Sequence, residues 1–450
     1  MRKKVGQTVG IMAMIGVGAV GLGGLVIVAL FVRAMPRATF VAWSVAMFFT
    51  PIWIGVTIGH NLFLSAVTVV TLIALAGLIK ELRLAPADIA MAVLVGLVTL
   101  QYALSIISLT YAVTTVLEWL IPYAWGRLVL SVIPPRFITS CITSCALIAS
   151  AMAVTEFATG FNIFSKIKVN NPLYETWGTL LTRVGYLRAE GAWGHPIALG
   201  AALAMCVSFA FATSWRPKYQ VLSILLIAAG TVLTLSRTGI YTLILAVALS
   251  IALLPNVRRA TRTATAMIGI IGGLIFAPFI MRIFSDEGQT AQASASYRGD
   301  LFSLFSFVKP FGSAQSFDGV TIAGHYIGFY SKSIDNTFLL TGLRLGWFPL
   351  GAFCLVIILA ILPIFMHQRI TPAIIAVAAQ IPGLFTVALI TQFGMFFWFM
   401  VGLAVGWDSE SRRGDLTRDD ASALASSGTA GAVDSEKAGA ARRIPDMDRT

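Results

Sequence analysis

Arg188, Arg237 and Arg298 organise whatever chemistry this 450-residue chain performs. Each stands in its own polar break between apolar runs. Arg188 opens Arg188-Ala189-Glu190-Gly191-Ala192-Trp193-Gly194-His195-Pro196, Arg237 lies within Leu235-Ser236-Arg237-Thr238-Gly239, and Arg298 follows Tyr297 ahead of Gly299 and Asp300. Guanidinium is charged at every physiological pH and pairs bidentately with phosphate oxygens, so three of them converging suit a diphosphate. If the three breaks lie at one membrane face, a phosphorylated lipid is the natural ligand.

The residues around these arginines could move protons or position a substrate. Glu190 offers a candidate catalytic carboxylate and His195 an imidazole. The two glycines between them let a bulky ligand approach backbone amides at the start of a helix. A plainer reading is open as well: an arginine at headgroup level and a His-Pro helix start. Arg237 sits in a tight connection on the side where basic residues are disfavoured, and an interfacial hairpin is its plain alternative. Arg298 beside Asp300 could be a local ion pair. The stretch 301–308 reads as a short amphipathic helix that would bring Arg298 down to the membrane face.

Further on come His325-Tyr326 and Ser331-Lys332-Ser333-Ile334-Asp335-Asn336-Thr337, leading into a helix that carries Arg344. Asp335 and Asn336 stand where a helix needs an N-cap, which accounts for at least one of them. Asp335, at the mouth of an arginine-lined cavity, is also a candidate general base or acceptor-orienting group. Arg344 inside a helix requires a partner or a ligand, and Asp335 is the nearest in sequence.

The elements that must hold these residues follow from composition. With 57% hydrophobic and 12% charged residues, against a soluble average near 25% charged, a soluble globular domain is excluded. Apolar stretches of roughly 18 to 25 residues match the length a helix needs to cross a bilayer. The expected fold is all-α: a polytopic membrane helix bundle of about 12–13 transmembrane helices over 1–407. The first span is the apolar run from about Val9 to Val32, and 337–366 is read as one long span. Alternating strands of an outer-membrane barrel are absent from runs such as Val93-Leu94-Val95-Gly96-Leu97-Val98.

Basic residues orient the spans. Lys80, Arg83, Arg127, Arg136, Arg216, Lys218, Arg258, Arg259, Arg262, Arg369, Arg412 and Arg413 fit the cytoplasmic side, leaving two longer extracytoplasmic loops at about 161–194 and 283–333. These loops carry or adjoin seven of the eleven acidic residues that precede Asp408. The remaining stretch, 408–450, is rich in Ala, Ser, Gly and mixed charge and reads as a disordered cytoplasmic tail. The net charge of +12 therefore reflects loop arginines, and no nucleic-acid partner is expected. The four cysteines lie in apolar runs as small hydrophobes, with no metal-binding spacing.

In order and spacing, the Arg188–Pro196, Leu235–Gly239, Tyr297-Arg298 and Asp335-Asn336 to Gly346 motifs resemble the O-antigen ligase and polymerase family of bacterial membrane glycosyltransferases, over about residues 90 to 406. The resemblance implies a multi-pass plasma-membrane enzyme whose site faces outward. It also implies a glycan donor on undecaprenyl diphosphate, a glycan or lipid-linked acceptor, and contact with membrane lipids. Arg188, Arg237 and Arg298 match the arginines that bind the lipid diphosphate, and His195, Arg344 and Asn336 would support them. The family works without a metal, so neither metal nor cofactor is expected.

Ligases of the family usually carry a histidine near the end of the large outer loop. Ser333-Ile334-Asp335-Asn336 stands there instead, which transfers the base role to Asp335 or His325 and leans toward an inverting polymerase of surface or exopolysaccharide repeat units. A ligase acting on a terminal lipid, wall or protein acceptor is the alternative. A lipid-linked glycan transporter is the more distant one, since few ionisable residues (chiefly Glu118, Glu156 and Arg344) lie deep within spans.

Overall fold

The structure, a computed structural model, describes residues 30, 32–58, 62–77, 84–255, 257–285, 301–314, 321–322, 325–326, 334–366 and 368–407. The expected first span, Arg298, Asp300 and the expected tail lie outside these residues. Among the described residues the fold is all-α apart from three two-stranded hairpins.

The early helices are α1 (Pro36–Phe49), α2 (Ala66–Ala76), α3 (Pro86–Ala103) and α4 (Leu109–Thr114), which continues as a π-helical turn (Thr115–Leu120) into α5 (Ile121–Val129). A hairpin, β1 (Gly55–Ile58) with β2 (Leu62–Ser65), lies between α1 and α2. Then come α6 (Pro135–Thr159), short α7 (Pro172–Trp177), a second hairpin of β3 (Thr182–Arg183) and β4 (Tyr186–Leu187), α8 (Pro196–Ala212), α9 (Pro217–Leu233), α10 (Arg237–Leu253) and α11 (Arg259–Ser285). A third hairpin, β5 (Thr321–Ile322) with β6 (His325–Tyr326), precedes α12 (Thr337–Leu345), α13 (Trp347–Phe365), α14 (Pro372–Leu384) and α15 (Thr391–Trp407).

Local chemistry sets the helix starts. Proline occupies the first position of α1, α3, α6, α8, α9 and α14, where its missing N–H would have been unpaired anyway. Side chains of His195, Ser236, Asn336 and Thr371 accept backbone N–H bonds at the starts of α8, α10, α12 and α14.

The centre of the bundle is α8. Fifteen of its seventeen residues are buried, and α6, α9, α10 and α14 surround it. Between apolar surroundings there is little hydrophobic force to press helices together, so close van der Waals packing of small residues must do it. Alanine and glycine dominate α8 accordingly, and a Cβ on Gly239 of α10 would lie 3.1 Å from the Gly200 Cα. Helix α15 is similarly enclosed, and a Cβ on its Gly402 would collide with the Tyr123 carbonyl oxygen of α5, so any larger residue forces those helices apart.

Three described helices are long and apolar enough to cross a membrane: Pro86–Ala103, Pro135–Thr159 and Trp347–Phe365. Shorter apolar helices, α8, α9, α10, α14 and α15 among them, accompany these. The bundle has a basic end. Arg127, Arg216, Arg258 and Arg369 stand at helix ends opposite those that carry His195, Thr234 and Arg237, because α8, α9 and α10 run end to end between the two sets.

Several expectations need correcting. The expected long span over 337–366 is broken at Gly346, whose φ of 95° ends α12. The 309–312 segment crosses this break, with Trp347 N donating to the Lys309 carbonyl oxygen (2.9 Å) and Gly312 N to that of Leu345 (3.1 Å). The stretch expected as an amphipathic helix is a 3-10 helix, Phe302–Phe307. The loop at 161–194 is ordered by α7 and the β3–β4 hairpin.

Arg127, expected as a loop arginine, is instead buried against Asp88. Its Nε lies 3.2 Å from both carboxylate oxygens, while Asp88 also accepts from Tyr123 Oη (2.7 Å) and Ala85 N (2.7 Å). One carboxylate thus joins the start of α3 to two turns of α5. Removing one partner of a buried pair strands the other charge, at about 3–5 kcal/mol. Asp88→Ala should lower the thermal midpoint of the solubilised protein by many degrees, and an unchanged midpoint would show that the pair does not hold the helices together.

Candidate functional site

The site is built at the end of the bundle opposite the basic one, where the 160–195 connection drops onto the α9–α10 turn. A deep carboxylate fixes it. Glu156, in the last turn of α6, receives the backbone N–H of Glu190 (Oε1, 3.1 Å) and of Gly191 (Oε2, 2.9 Å), and Asn162 Nδ2 (Oε1, 2.8 Å). Asn162 Nδ2 also reaches the Gly191 carbonyl oxygen at 3.0 Å. Gly191, with φ of 55°, takes the left-handed turn this clamp requires.

Trp193 then inserts into the core, edge-on to Phe48 and Phe396. Gln392, at the start of α15, donates its Nε2 to the Ala192 carbonyl oxygen at 3.0 Å. The loop bearing Arg188, Glu190 and His195 is therefore held from three helices.

Arg188 is buried and donates Nε to the Thr234 carbonyl oxygen at 3.1 Å, and Ala189 N donates to that of Leu233 at 3.2 Å. Arg183, from β3, donates Nη1 to the Leu235 carbonyl oxygen. Both arginines thus grip the turn immediately before Arg237. Leu235 holds φ of 48°, an unusual left-handed conformation for a side-chain-bearing residue. Arg237 follows as the first, half-buried residue of α10, whose start Ser236 caps by accepting from Gly239 N at 3.1 Å.

The 335–337 segment reaches the same end through the α14–α15 connection. Thr238 and Thr386 hydroxyls lie 3.3 Å apart, and Thr337 Oγ1 donates to the Val387 carbonyl oxygen at 2.6 Å. Asn336 is buried and caps α12 by accepting from Leu339 N (2.9 Å), so its role is local; Asp335, half-buried, precedes it. His325 lies in β6. Arg344 does not pair with Asp335 as expected. It leaves the site along α12 and lies over the Tyr111 ring, 5.5 Å from its centre.

Electrostatics separate the proton-carrying groups. Burial, reinforced by Glu156 and opposed by the Leu181 N–H (2.7 Å) and Arg188, pushes the Glu190 carboxyl up to about 8. It is therefore mostly neutral at pH 7, a loop-holding group rather than a ready base. His195, beside Trp177, is pushed down to about 4 by burial and by Arg188. Its neutral Nδ1 accepts from Ile197 N at 3.2 Å, which leaves the other ring nitrogen protonated. Among the described residues no three His, Cys, Asp or Glu side chains gather as a metal site.

The sequence reading missed Asn162, Arg183 and Gln392. Asn162 follows a helix end and Gln392 precedes an aromatic run, and neither position by itself signals a contact so far along the chain. Compared with known proteins, the chain matches no family model, and no characterised protein or solved structure shows significant similarity to it.

Glu190 gives a pH signature. Its folded value of about 8 lies above its ordinary 4.5, so the folded state binds more protons in between and stability falls as pH rises through that window. The slope is at most about 1.4 kcal/mol per pH unit. Glu190→Gln keeps the acceptor for Leu181 and should flatten the decline in thermal midpoint between pH 5 and 8; a decline as steep as in the wild type would contradict the assignment.

Proposed function

We propose that this chain is a bacterial membrane glycosyltransferase of the O-antigen ligase and polymerase type. In this reading it transfers a glycan from undecaprenyl diphosphate to an acceptor hydroxyl on the outer face, polymerising surface or exopolysaccharide repeat units. The observation that carries the reading is the grip of Arg188 and Arg183 on the Thr234–Leu235 turn that presents Arg237. It draws two of the three candidate diphosphate-binding segments together at the end of the bundle opposite Arg216, Arg258 and Arg369.

The chemistry follows from those groups. The acceptor oxygen attacks the anomeric carbon from the face opposite the diphosphate, the carbon–oxygen bond to the diphosphate breaks with its electron pair, and the configuration inverts. Arg188, Arg237 and Arg298 stabilise the charge that grows on the leaving group, where preorganised cations are worth most. The acceptor proton passes to Asp335 or His325. Diphosphate is a good leaving group and needs little protonation, so the demand on general acid catalysis is small. The clamp at Glu156 and the bonds to the Thr234–Leu235 turn fix the arginine-bearing segments before substrate arrives, which limits reorganisation during reaction.

The test is incubation of the solubilised protein with lipid-linked repeat units from its own host, with products resolved by size. A ladder of longer lipid-linked glycans is expected. Arg237→Ala should reduce its formation by about 100-fold or more, the usual loss for one electrostatic contact to a developing anion. The same variant should elute and melt as the wild type does. Chain growth unaffected by Arg237→Ala, or no transfer to any acceptor, would overturn the reading.

A further inference from the structure

A second polar space lies beside the arginine-bearing end, between the α4–π-helical segment and α12. It is a cavity of about 180 Å³. One wall is formed by Tyr111, Thr114, Thr115 and Glu118, and the facing wall by Thr337, Leu340, Thr341 and Arg344. Both sets follow the spacing i, i+3, i+4, i+7, which is one continuous face of a helix. Faces so disposed toward each other in a helix bundle are ordinarily apolar and closed. Here they carry hydroxyls, a carboxylate and a guanidinium, and they stand apart.

Part of this polarity is used internally. Thr115 Oγ1 donates to the Tyr111 carbonyl oxygen at 2.9 Å, and Thr337 is bonded to Val387. The Glu118 carboxyl and the Thr114 and Thr341 hydroxyls make no hydrogen bond among the described residues, although Thr341 is only 4% exposed. Glu118 and Arg344 attract each other across the space without closing to an ion pair, Arg344 lying over Tyr111 instead. Thr114 and Glu118 are half-buried and Arg344 is exposed, so these polar groups border an open space that a hydrogen-bonding guest can enter and fill. The π-helical turn, a costly geometry that tends to persist at functional sites, carries Glu118.

The chemistry of the lining selects the ligand class. One carboxylate and one guanidinium balance, so a strongly charged ligand gains nothing here. Acceptors, donors and hydroxyls alternate around aromatic side chains, Tyr111 and Trp119. That combination fits a neutral polyhydroxylated ring: hydroxyls to the polar groups, the C–H face to the aromatic ones. The cavity also adjoins the site. Thr337 lies two residues past Asp335, and Leu389, which lines the cavity, lies three residues past Thr386, the hydroxyl neighbour of Thr238 next to Arg237.

We infer that the cavity between Glu118 and Arg344 is a saccharide subsite that holds the acceptor sugar, with Glu118 accepting a hydrogen bond from a ring hydroxyl. The acceptor role rests on the glycosyltransferase reading, whereas saccharide binding itself does not. On this assignment the diphosphate and the acceptor approach Asp335 from different sides, the diphosphate from the Arg188–Arg237 turn and the sugar from the α12 face. Glu118 and Arg344 act as positioning residues for the acceptor and take no part in leaving-group departure.

The probe is the oligosaccharide freed by mild acid from the host's own lipid-linked repeat unit, observed by saturation-transfer NMR on the solubilised protein. Saturation of its ring protons is expected with the wild type. Glu118→Gln and Arg344→Gln should each weaken binding about tenfold or more, the worth of one hydrogen bond to a charged group. Arg237→Ala should leave it unchanged, while inorganic diphosphate should not compete. Thr114→Val, which preserves shape and removes one hydroxyl, should weaken binding in the same direction and serves if the charged-group variants fail to fold.

In the chain-growth assay the acceptor KM should rise in the Glu118 and Thr114 variants more than kcat falls. Binding that depends on Glu118 in a protein that grows no chains would uphold the saccharide site and overturn its acceptor role along with the glycosyltransferase reading. Chain growth with acceptor KM and oligosaccharide binding untouched by Glu118→Gln and Thr114→Val would overturn the inference and leave that reading standing. No saturation of the oligosaccharide by the wild type would overturn it as well.

Discussion

The enclosure of α8 on every side is the constraint on which the rest of this structure depends. A helix with four packed neighbours has little room for polar side chains, Ser208 with its bond to the Pro372 carbonyl oxygen being the one within it, so its polar demands gather toward its two ends. At its start, His195 turns inward to satisfy an amide of its own helix. The chain leading into it must bring buried backbone amides past the ends of α6 and α9, and those amides need acceptors. Glu156 and the carbonyls of the α9–α10 turn supply them, the latter to Ala189 and to two arginines. The arginine-bearing architecture is thus, in the first place, a consequence of burying that helix.

This explains why buried carboxylates occur so close to arginines at that end. Glu156 clamps two successive amides and a side-chain amide, a fully employed arrangement that fixes one conformation of the 188–195 loop. Glu190 has a single amide partner and a carboxylate neighbour, and burial then keeps it protonated. Two buried acids so close together would repel if both were charged. The proton retained on Glu190 removes that repulsion.

Much of the fold was legible in the sequence because hydropathy and punctuation agreed. Pro135 and Gly160 bracket α6, Pro196 and Pro217 open α8 and α9, and Pro255 follows α10. The segments around Arg188, Arg237 and Asp335 were recognisable as polar breaks, and they meet at one end of the bundle. What was not legible depended on distant packing. Gly346 breaks a continuous apolar run because the 309–312 segment crosses there, a fact that no local pattern carries. Arg127 read as an orienting surface charge because its partner, Asp88, lies two helices earlier. Arg344 was assigned to the nearest acid in sequence, whereas helix geometry turns it onto the face opposite Tyr111 and Glu118.

The contrast between the two polar regions bears on how such a site could work. Around Glu156, the amides of Glu190, Gly191 and Asn162 have their acceptor inside the protein, which holds the 188–195 loop in place. Between Glu118 and Arg344, hydroxyls and charges face open space, the room that the proposed saccharide would fill. A diphosphate leaving group makes the same demand in every cycle and is best met by fixed cations. An acceptor sugar must enter, present one hydroxyl and leave as product, which favours a cavity whose hydrogen bonds form only when it is filled. The two helix faces that line this cavity, spaced alike and held apart, are the part of the bundle least explained by packing, and a guest between them gives their polarity a reason.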